Sequence, residues 1–268
     1  MAFSREIMYD LDSIVIVSIL FALILVANEV GYRLGHYYQS KTDSDVKTQT
    51  NTIQAGMLGL LALILGFTFN MAVQRYNNRS EAVIIEANTI GTALLRTNLL
   101  PAPYDSLTYA QLQQYIVLRL QVDNTMEALV TKQEELNKAT KKLHTEIWVN
   151  AVKAARIDSR SVTTGYFISA LNNMIDAYGK RNALLALHVP EVILFLLFII
   201  FIMTGALMGY AAGLGKKRST LPALVMTFLI CLVVFIVIDL DRPVRGTIKV
   251  NQASMQQLLG EQEETEPD

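Results

Sequence analysis

Cysteine is almost absent from this 268-residue chain. The single thiol, Cys231, lies inside an apolar run, so one copy of the chain can form neither an intrachain disulfide framework nor a thiolate metal cluster. We therefore interpret Cys231 as a small apolar packing residue.

Charge is also scarce. Only 18% of the residues are charged and the formal net charge is -1, which provides no global basic field, so we expect no nucleic-acid partner. In contrast, 52% of the residues are hydrophobic, more than is usual in a soluble domain of this length. This composition indicates insertion into a membrane.

Motifs for catalysis and metal binding are missing as well. The three histidines, His36, His144 and His188, have no second ligand three or four residues away, and we expect them at solvated or interfacial positions. Glu81 and Glu86 show no acid and base arrangement around them. We therefore expect no enzyme, no cofactor and no metal site.

Four apolar runs are long enough to cross a membrane, since a helix needs about 20 predominantly apolar residues to span the hydrocarbon core. They cover about residues 11–30, 53–73, 192–214 and 221–238. The first run could instead be a cleaved signal peptide, but it follows several acids with only Arg5 as a base. Its candidate cleavage site is also poor, so we favour a retained anchor.

The four runs predict an all-α, polytopic membrane protein with two transmembrane hairpins, residues 1–73 and 190–240. A polar stretch, residues 32–52, joins the first two runs, and the basic turn 215–219 joins the last two. The Lys and Arg residues of that turn favour short loops in the cytoplasm, although the charge count on the two sides is nearly balanced.

The rest of the chain forms two further segments. Residues 74–189 contain no run long enough to span, and their apolar residues recur with helical period, which predicts a helical extramembrane domain. Its first helix should continue directly out of the second run and end at Pro101. Residues 241–268 form a C-terminal segment whose acidic tail, from Gly260, we expect to be disordered.

Pairs of small residues four positions apart occur in two of the runs. Such pairs let helix backbones approach closely where lipid supplies no hydrophobic driving force. The pairs are Ala55 and Gly59, Ala62 and Gly66, and Gly205 and Gly209. We predict helix-packing surfaces there, within one chain or between chains.

Charged residues cluster at the membrane edge, whereas no Asp, Glu, Lys, Arg or His lies near the middle of any run. A proton-coupled pump therefore has no candidate residue. The edge cluster consists of Arg75, Arg79, Asp239, Asp241, Arg242 and Arg245. Parallel second and fourth helices would bring these arginines and acids to the same side, where ion pairs can form. The alternative is interfacial anchoring, with Asp239 and Arg242 paired locally.

A resemblance to a known family begins in the second run. Leu65-Gly66-Phe67 is followed after seven residues by Arg75-Tyr76, and then by Glu86-Ala87-Asn88-Thr89-Ile90-Gly91-Thr92-Ala93 and Arg96. With residues 239–246, these motifs resemble a bacterial membrane family of unknown function described as bestrophin-like. The resemblance covers most of the chain and implies a multi-pass protein of the bacterial inner membrane.

Bestrophins themselves are pentameric anion channels whose second helix lines the pore neck. By that resemblance Leu63 and Phe67 match neck positions, whereas the third neck position falls on Gly59 and departs. The segment 242–245 carries arginines where bestrophins have an acidic calcium clasp, so we do not expect calcium gating. Bestrophin topology would place the insert and both termini in the cytoplasm, opposite to the orientation that the charges favour.

Two classes of function follow. In a ring of subunits, Leu63 and Phe67 could form an apolar constriction that gates by dewetting, with Asn70 close by and Arg75 beyond it raising the local anion concentration. Partners would then be bilayer lipid, further copies of the chain and anions. The alternative is a non-conducting scaffold or sensor whose helical insert, through residues 132–142, binds partner proteins.

Overall fold

The computed structural model describes residues 11–124, 130–158, 161–215, 220–242 and 247–263, and within these ranges it contains helices and no strand. The helices are α1 (Ser13–Tyr38), α2 (Ser44–Thr97), α3 (Tyr104–Asn124), α4 (Val130–Ile157), α5 (Ser161–Leu185), α6 (Glu191–Gly213), α7 (Thr220–Asp241) and α8 (Ala253–Glu263). Four of them, α1, α2, α6 and α7, are long and apolar enough to cross a membrane. The predicted all-α class is confirmed.

The chain folds as two compact units. The described residues up to 75, with 188–242 and 247–248, form the membrane unit, and residues 76–187 with 249–263 form the insert unit. The division falls inside α2, so this one helix contributes residues to both units.

The polar stretch 32–52 is mostly helical, which the sequence did not indicate. Asp12 caps α1 by accepting a hydrogen bond from the Ile14 amide at 3.3 Å, and α1 continues to Tyr38. α2 begins only six residues later, at Ser44. Threonine hydroxyls in this stretch donate to carbonyls four residues back, as Thr48 does to Ser44, so they do not interrupt the helix.

α2 has 54 residues and contains no proline, which would break its hydrogen-bond ladder. At 1.5 Å per residue it is about 80 Å long, whereas the hydrocarbon core is about 30 Å thick. The helix therefore extends far beyond one apolar run, as the sequence predicted. It ends at Thr97, a few residues before Pro101.

In the membrane unit, α1 packs against α6, and at Gly209 and Gly213 the two backbones are in direct contact. A Cβ atom added at Gly209 would overlap the backbone oxygen of Asn28, and one at Gly213 would overlap that of Tyr32. Asn28 Nδ2 donates to the Gly205 carbonyl oxygen at 3.2 Å across the same contact. Glycine is required here because backbone atoms of the other helix occupy the space of a side chain.

In the insert unit, a conventional hydrophobic core joins α3, α4 and α5 to the last part of α2. Its fully buried members include Ile90, Leu112, Ile147, Phe167 and Leu171. Such a core excludes water from every side chain that faces it, polar ones included.

The C-terminal helix α8 adds to this core, and part of the predicted disordered tail belongs to it. Met255 is completely buried, and Leu258 packs against the core. This apolar face explains why residues 260–263 are helical instead of disordered. Residues 264–268, the basic turn 216–219 and Arg245 lie outside the described residues.

The close contact of α1 with α6 predicts that replacing Gly209 by alanine destabilises the protein. Gly209→Ala should lower the free energy of unfolding by about 1 to 3 kcal/mol, because the methyl group forces two backbones apart. The measurement is the unfolding of the purified protein in detergent, followed by loss of helical circular dichroism. Gly179→Ala is the matched control, since a Cβ there meets no atom within 4 Å. Equal stability of the two variants would contradict the prediction.

Candidate functional site

The part of α2 that lies in the membrane unit has one buried and one open face. The buried face is formed at helical spacing by Thr50, Leu61, Thr68 and Ala72. On the opposite side, Leu63 is 55% exposed, Phe67 is 63% exposed, and Asn70 is also exposed. The predicted neck residues therefore share one open helix face.

The predicted small-residue pairs lie in two different environments. Gly205 lies against Ile24 of α1, and Gly209 lies against the α1 backbone at Asn28. Gly59 and Gly66 have no atom within 4 Å of an added Cβ, and Ala55 and Ala62 are exposed. Within one copy of the chain, the pairs of α2 therefore border the open face, while the pair of α6 packs against a helix.

The charged residues at the end of α7 are buried and bind specific groups of the membrane unit. Asp241 lies 3.9 Å from Arg75 Nε and accepts a hydrogen bond from the Val189 amide at 2.8 Å. Asp239 accepts hydrogen bonds from the Thr247 amide, the Thr247 hydroxyl and the Ile248 amide at 2.7 to 2.9 Å. By these hydrogen bonds, Asp241 fixes the position of Val189 just before α6, and Asp239 fixes Thr247 and Ile248 after α7.

The arginines of the edge cluster have different partners. Arg242 donates through its guanidinium to the Leu11 carbonyl, and its backbone amide donates to the Asp239 carbonyl at 3.2 Å. Arg79 belongs to the insert unit, where Nη2 donates to the Leu187 carbonyl at 2.6 Å. Of the ion pairs that the sequence suggested here, the structure brings Arg75 and Asp241 together.

A second constellation lies in the core of the insert unit, around the completely buried Glu86. Arg119 donates to its two carboxylate oxygens, from Nε at 2.7 Å and from Nη2 at 3.1 Å. Arg181 Nη1 donates to Oε2 at 2.7 Å, and the Tyr115 hydroxyl donates to Oε1 at 2.9 Å. Arg181 also donates to Gln252 at 3.2 Å. One carboxylate thus joins side chains of α2, α3 and α5.

Aromatic rings enclose this charged group. The Arg119 guanidinium lies 5.0 Å from the centre of the Tyr178 ring, which is within range of a cation-π contact. His144 lies between Tyr115 and Tyr178, with ring centres 4.9 Å apart on both sides. Burial, and then the Glu86 charge, raises the pKa of the Tyr115 hydroxyl well above its usual range, so Tyr115 stays a proton donor to Glu86.

His144 is buried, so the expectation of a solvated or interfacial position was wrong for this histidine. Burial lowers the pKa of its imidazole to about 4; the Glu86 charge raises this pKa and the Arg119 charge lowers it, but burial has the largest effect. Among the described residues, Nε2 has no hydrogen-bond partner. His144 is therefore neutral at pH 7, because its buried site disfavours the charged imidazolium.

Comparison with protein families decides the classification. The family model described as Bestrophin-like domain matches residues 19–255. This match covers most of the chain, from α1 to the start of α8. The chain belongs to the bestrophin-like family. No curated protein and no solved structure matches it.

The bestrophin-like chain carries the Glu86 constellation inside the region that the family model matches. Sequence reasoning considered Glu86 but not its partners, which lie 33 and 95 positions away. One signal was present: Arg119 follows Tyr115 and Ile116 at helical spacing, and Arg181 follows Tyr178 in the same way. An arginine on the apolar face of a helix suggests a buried carboxylate partner.

Among the described residues, no group of His, Cys, Asp and Glu could hold a metal ion.

Removing the Glu86 charge should destabilise the bestrophin-like insert unit strongly. Glu86→Gln removes the negative charge that two buried arginines share, and we expect the free energy of unfolding to fall by about 3 to 5 kcal/mol. Denaturant unfolding followed by the fluorescence of Trp148, the single tryptophan of the chain, measures this change. Glu81→Gln, the same change at an exposed position of α2, should have little effect. Similar unfolding curves for both variants would refute the role of Glu86.

The lowered pKa of His144 predicts how the free energy of unfolding depends on pH. Since its pKa is about 4 in the folded chain and 6.5 in the reference state, the unfolded chain binds the proton first. This contribution to stability is complete above pH 6.5 and is lost as the pH falls towards 4. Its maximum size is about 3 kcal/mol. The free energies of unfolding of wild type and His144→Phe are measured at pH 7 and at pH 4.5, and the change with pH in the difference between the two proteins isolates this contribution. A difference that is the same at both pH values contradicts the assignment.

Proposed function

We propose that this bestrophin-like protein forms an oligomeric, anion-selective channel as a multi-pass protein of the bacterial inner membrane. The observation that carries the proposal is the open face of α2, on which Leu63, Phe67 and Asn70 are exposed. Family membership supports it, since bestrophins use the corresponding helix as their neck.

The open face has the composition that a pore neck needs. Leu63 and Phe67 are one helical turn apart, about 6 Å along the axis. Around a symmetry axis, copies of these side chains would form two apolar rings, a constriction that conducts or closes according to its hydration. The open glycines Gly59 and Gly66 would let neighbouring helices approach closely on either side.

Arg75 gives the proposed pore its selectivity for anions. It lies eight residues beyond Phe67, about 12 Å further along the helix. Its contact with Asp241 is long, at 3.9 Å, and its Nη1 atom has no hydrogen-bond partner among the described residues. A guanidinium so weakly paired still attracts anions to its surroundings.

The alternative function is a non-conducting scaffold or sensor. The insert unit supports this alternative, because it has a hydrophobic core of its own and presents charged side chains of α4, including Lys138, Lys141 and Lys142, to solvent. This alternative predicts an absence of conductance and a partner that crosslinks to these lysines. Neither function assigns a catalytic role to the chain.

Planar bilayer recording of the purified, reconstituted protein under a chloride gradient tests the channel. We expect anion-selective currents whose unitary conductance changes several-fold in Phe67→Ala, because removing the ring widens the neck. Phe69→Ala is the matched control, since Phe69 lies two residues from Phe67, on a different side of the same helix, and is less exposed, at 38% against 63%; it should behave as wild type. Arg75→Ala should reduce selectivity for chloride over sodium.

Two results would overturn the proposal. One is a silent bilayer from protein that is folded by circular dichroism and oligomeric by light scattering. The other is a conductance that responds equally to Phe67→Ala and Phe69→Ala, since the current would then not pass the open face of α2. A monomeric protein would exclude the ring of subunits directly.

A further inference from the structure

A cleft of about 480 Å³ lies between α1 and α7 in the membrane unit. Three phenylalanines dominate its walls, which also contain the only cysteine of the chain. The lining residues are Val17, Ser18, Phe21, Phe228, Cys231, Leu232 and Phe235. Its size falls in the range of about 300 to 1,000 Å³ that is typical of ligand-binding pockets.

The chemistry of the walls excludes water as a stable occupant. A bound water molecule needs two to four polar partners, whereas Ser18 contributes the only hydroxyl group of the lining. An empty cleft would leave the phenylalanine rings without dispersion contacts on one side. The occupant should therefore be apolar.

The position of the cleft identifies the source of that occupant. α1 begins and α7 ends at the same edge, because Arg242 donates to the Leu11 carbonyl. Ser18 lies five residues after the first residue of α1 and Phe235 lies six residues before Asp241, so both are about 8 to 9 Å from this edge. One leaflet contributes about 15 Å of hydrocarbon, half of the core thickness. At this depth the surrounding phase consists of lipid acyl chains.

We propose that the cleft is a binding site for one acyl chain of a phospholipid, which is held more tightly than the surrounding bilayer lipids. Between Phe228 and Phe235 the cleft follows α7 for about 10 Å, which suits an extended hydrocarbon segment. A helix of a second copy is itself about 10 Å wide and cannot enter between α1 and α7, which share a packed core through Leu20 and Val234. This site is independent of whether the protein conducts ions.

Retention of lipid through purification tests the site. Native mass spectrometry of the wild-type protein in mild detergent should detect one phospholipid per chain. Ser18→Trp and Leu232→Trp fill the cleft from its two walls, and we expect each to abolish this retention. The matched controls are Val15→Trp on α1 and Leu229→Trp on α7, which are exposed but do not line the cleft. These two variants should retain the lipid.

Cys231 provides a second test that needs no variant. Cys231 is only 4% exposed, but it lines the cleft. In delipidated protein, a small apolar thiol reagent should therefore modify this thiol slowly, and palmitoyl-oleoyl phosphatidylethanolamine should slow the reaction further in a saturable manner. Glycerophosphoethanolamine, the same headgroup without acyl chains, should have no effect.

Three outcomes would overturn the proposal: no retained lipid, equal retention in the cleft-filling and control variants, or a Cys231 reaction that is indifferent to the phospholipid. A change of oligomeric state in the cleft-filling variants, without any lipid in the wild type, would instead identify a second copy as the occupant. Because conductance is recorded separately, the three outcomes that overturn lipid binding leave the channel proposal unaffected.

Discussion

The membrane unit depends on one constraint: hydrocarbon offers neither a hydrophobic driving force between helices nor hydrogen bonds to polar groups. Its helices must therefore associate through close packing and bind their polar groups internally. The contact of α1 with α6 meets the first requirement, because Gly209 and Gly213 allow backbone to lie against backbone. Asn28 meets the second by donating to the Gly205 carbonyl within this contact.

The same constraint explains the charged groups at the end of α7. An unpaired carboxylate at a membrane edge would be costly once it is buried, yet Asp239 and Asp241 are both buried. Each accepts hydrogen bonds from backbone amides, and these amides belong to segments that flank α6 and α7. The hydrogen bonds that satisfy these two carboxylates thus also fix the backbone segments next to the apolar helices.

The insert unit is held together by a hydrophobic core and by a buried charged group, both of which join residues far apart in the sequence. This distance limits what the sequence could predict. Apolar runs and helical periodicity are local signals, and they predicted the all-α class and the long continuation of α2. Glu86, Arg119 and Arg181 meet through tertiary contacts between three helices. Spacing within one segment can place each arginine on an apolar helix face, but it cannot reveal which carboxylate the arginine binds. Likewise, the small-residue pattern is the same at Gly59 and at Gly209. Only the structure separates the glycine in open space from the one against a backbone.

The open face of α2 has a composition that lipid alone does not suit. Gly59 and Gly66 expose helix backbone instead of covering it with side chains, and Asn70 exposes an amide group. An amide without a hydrogen-bond partner is costly in hydrocarbon, whereas water or a neighbouring subunit can satisfy it. A lipid-facing helix would be expected to carry apolar side chains at these positions, as α7 does with Leu224, Val225 and Phe228. The contrast between these two exposed surfaces favours an assembly in which α2 faces its own copies or a hydrated axis, while α7 faces the bilayer.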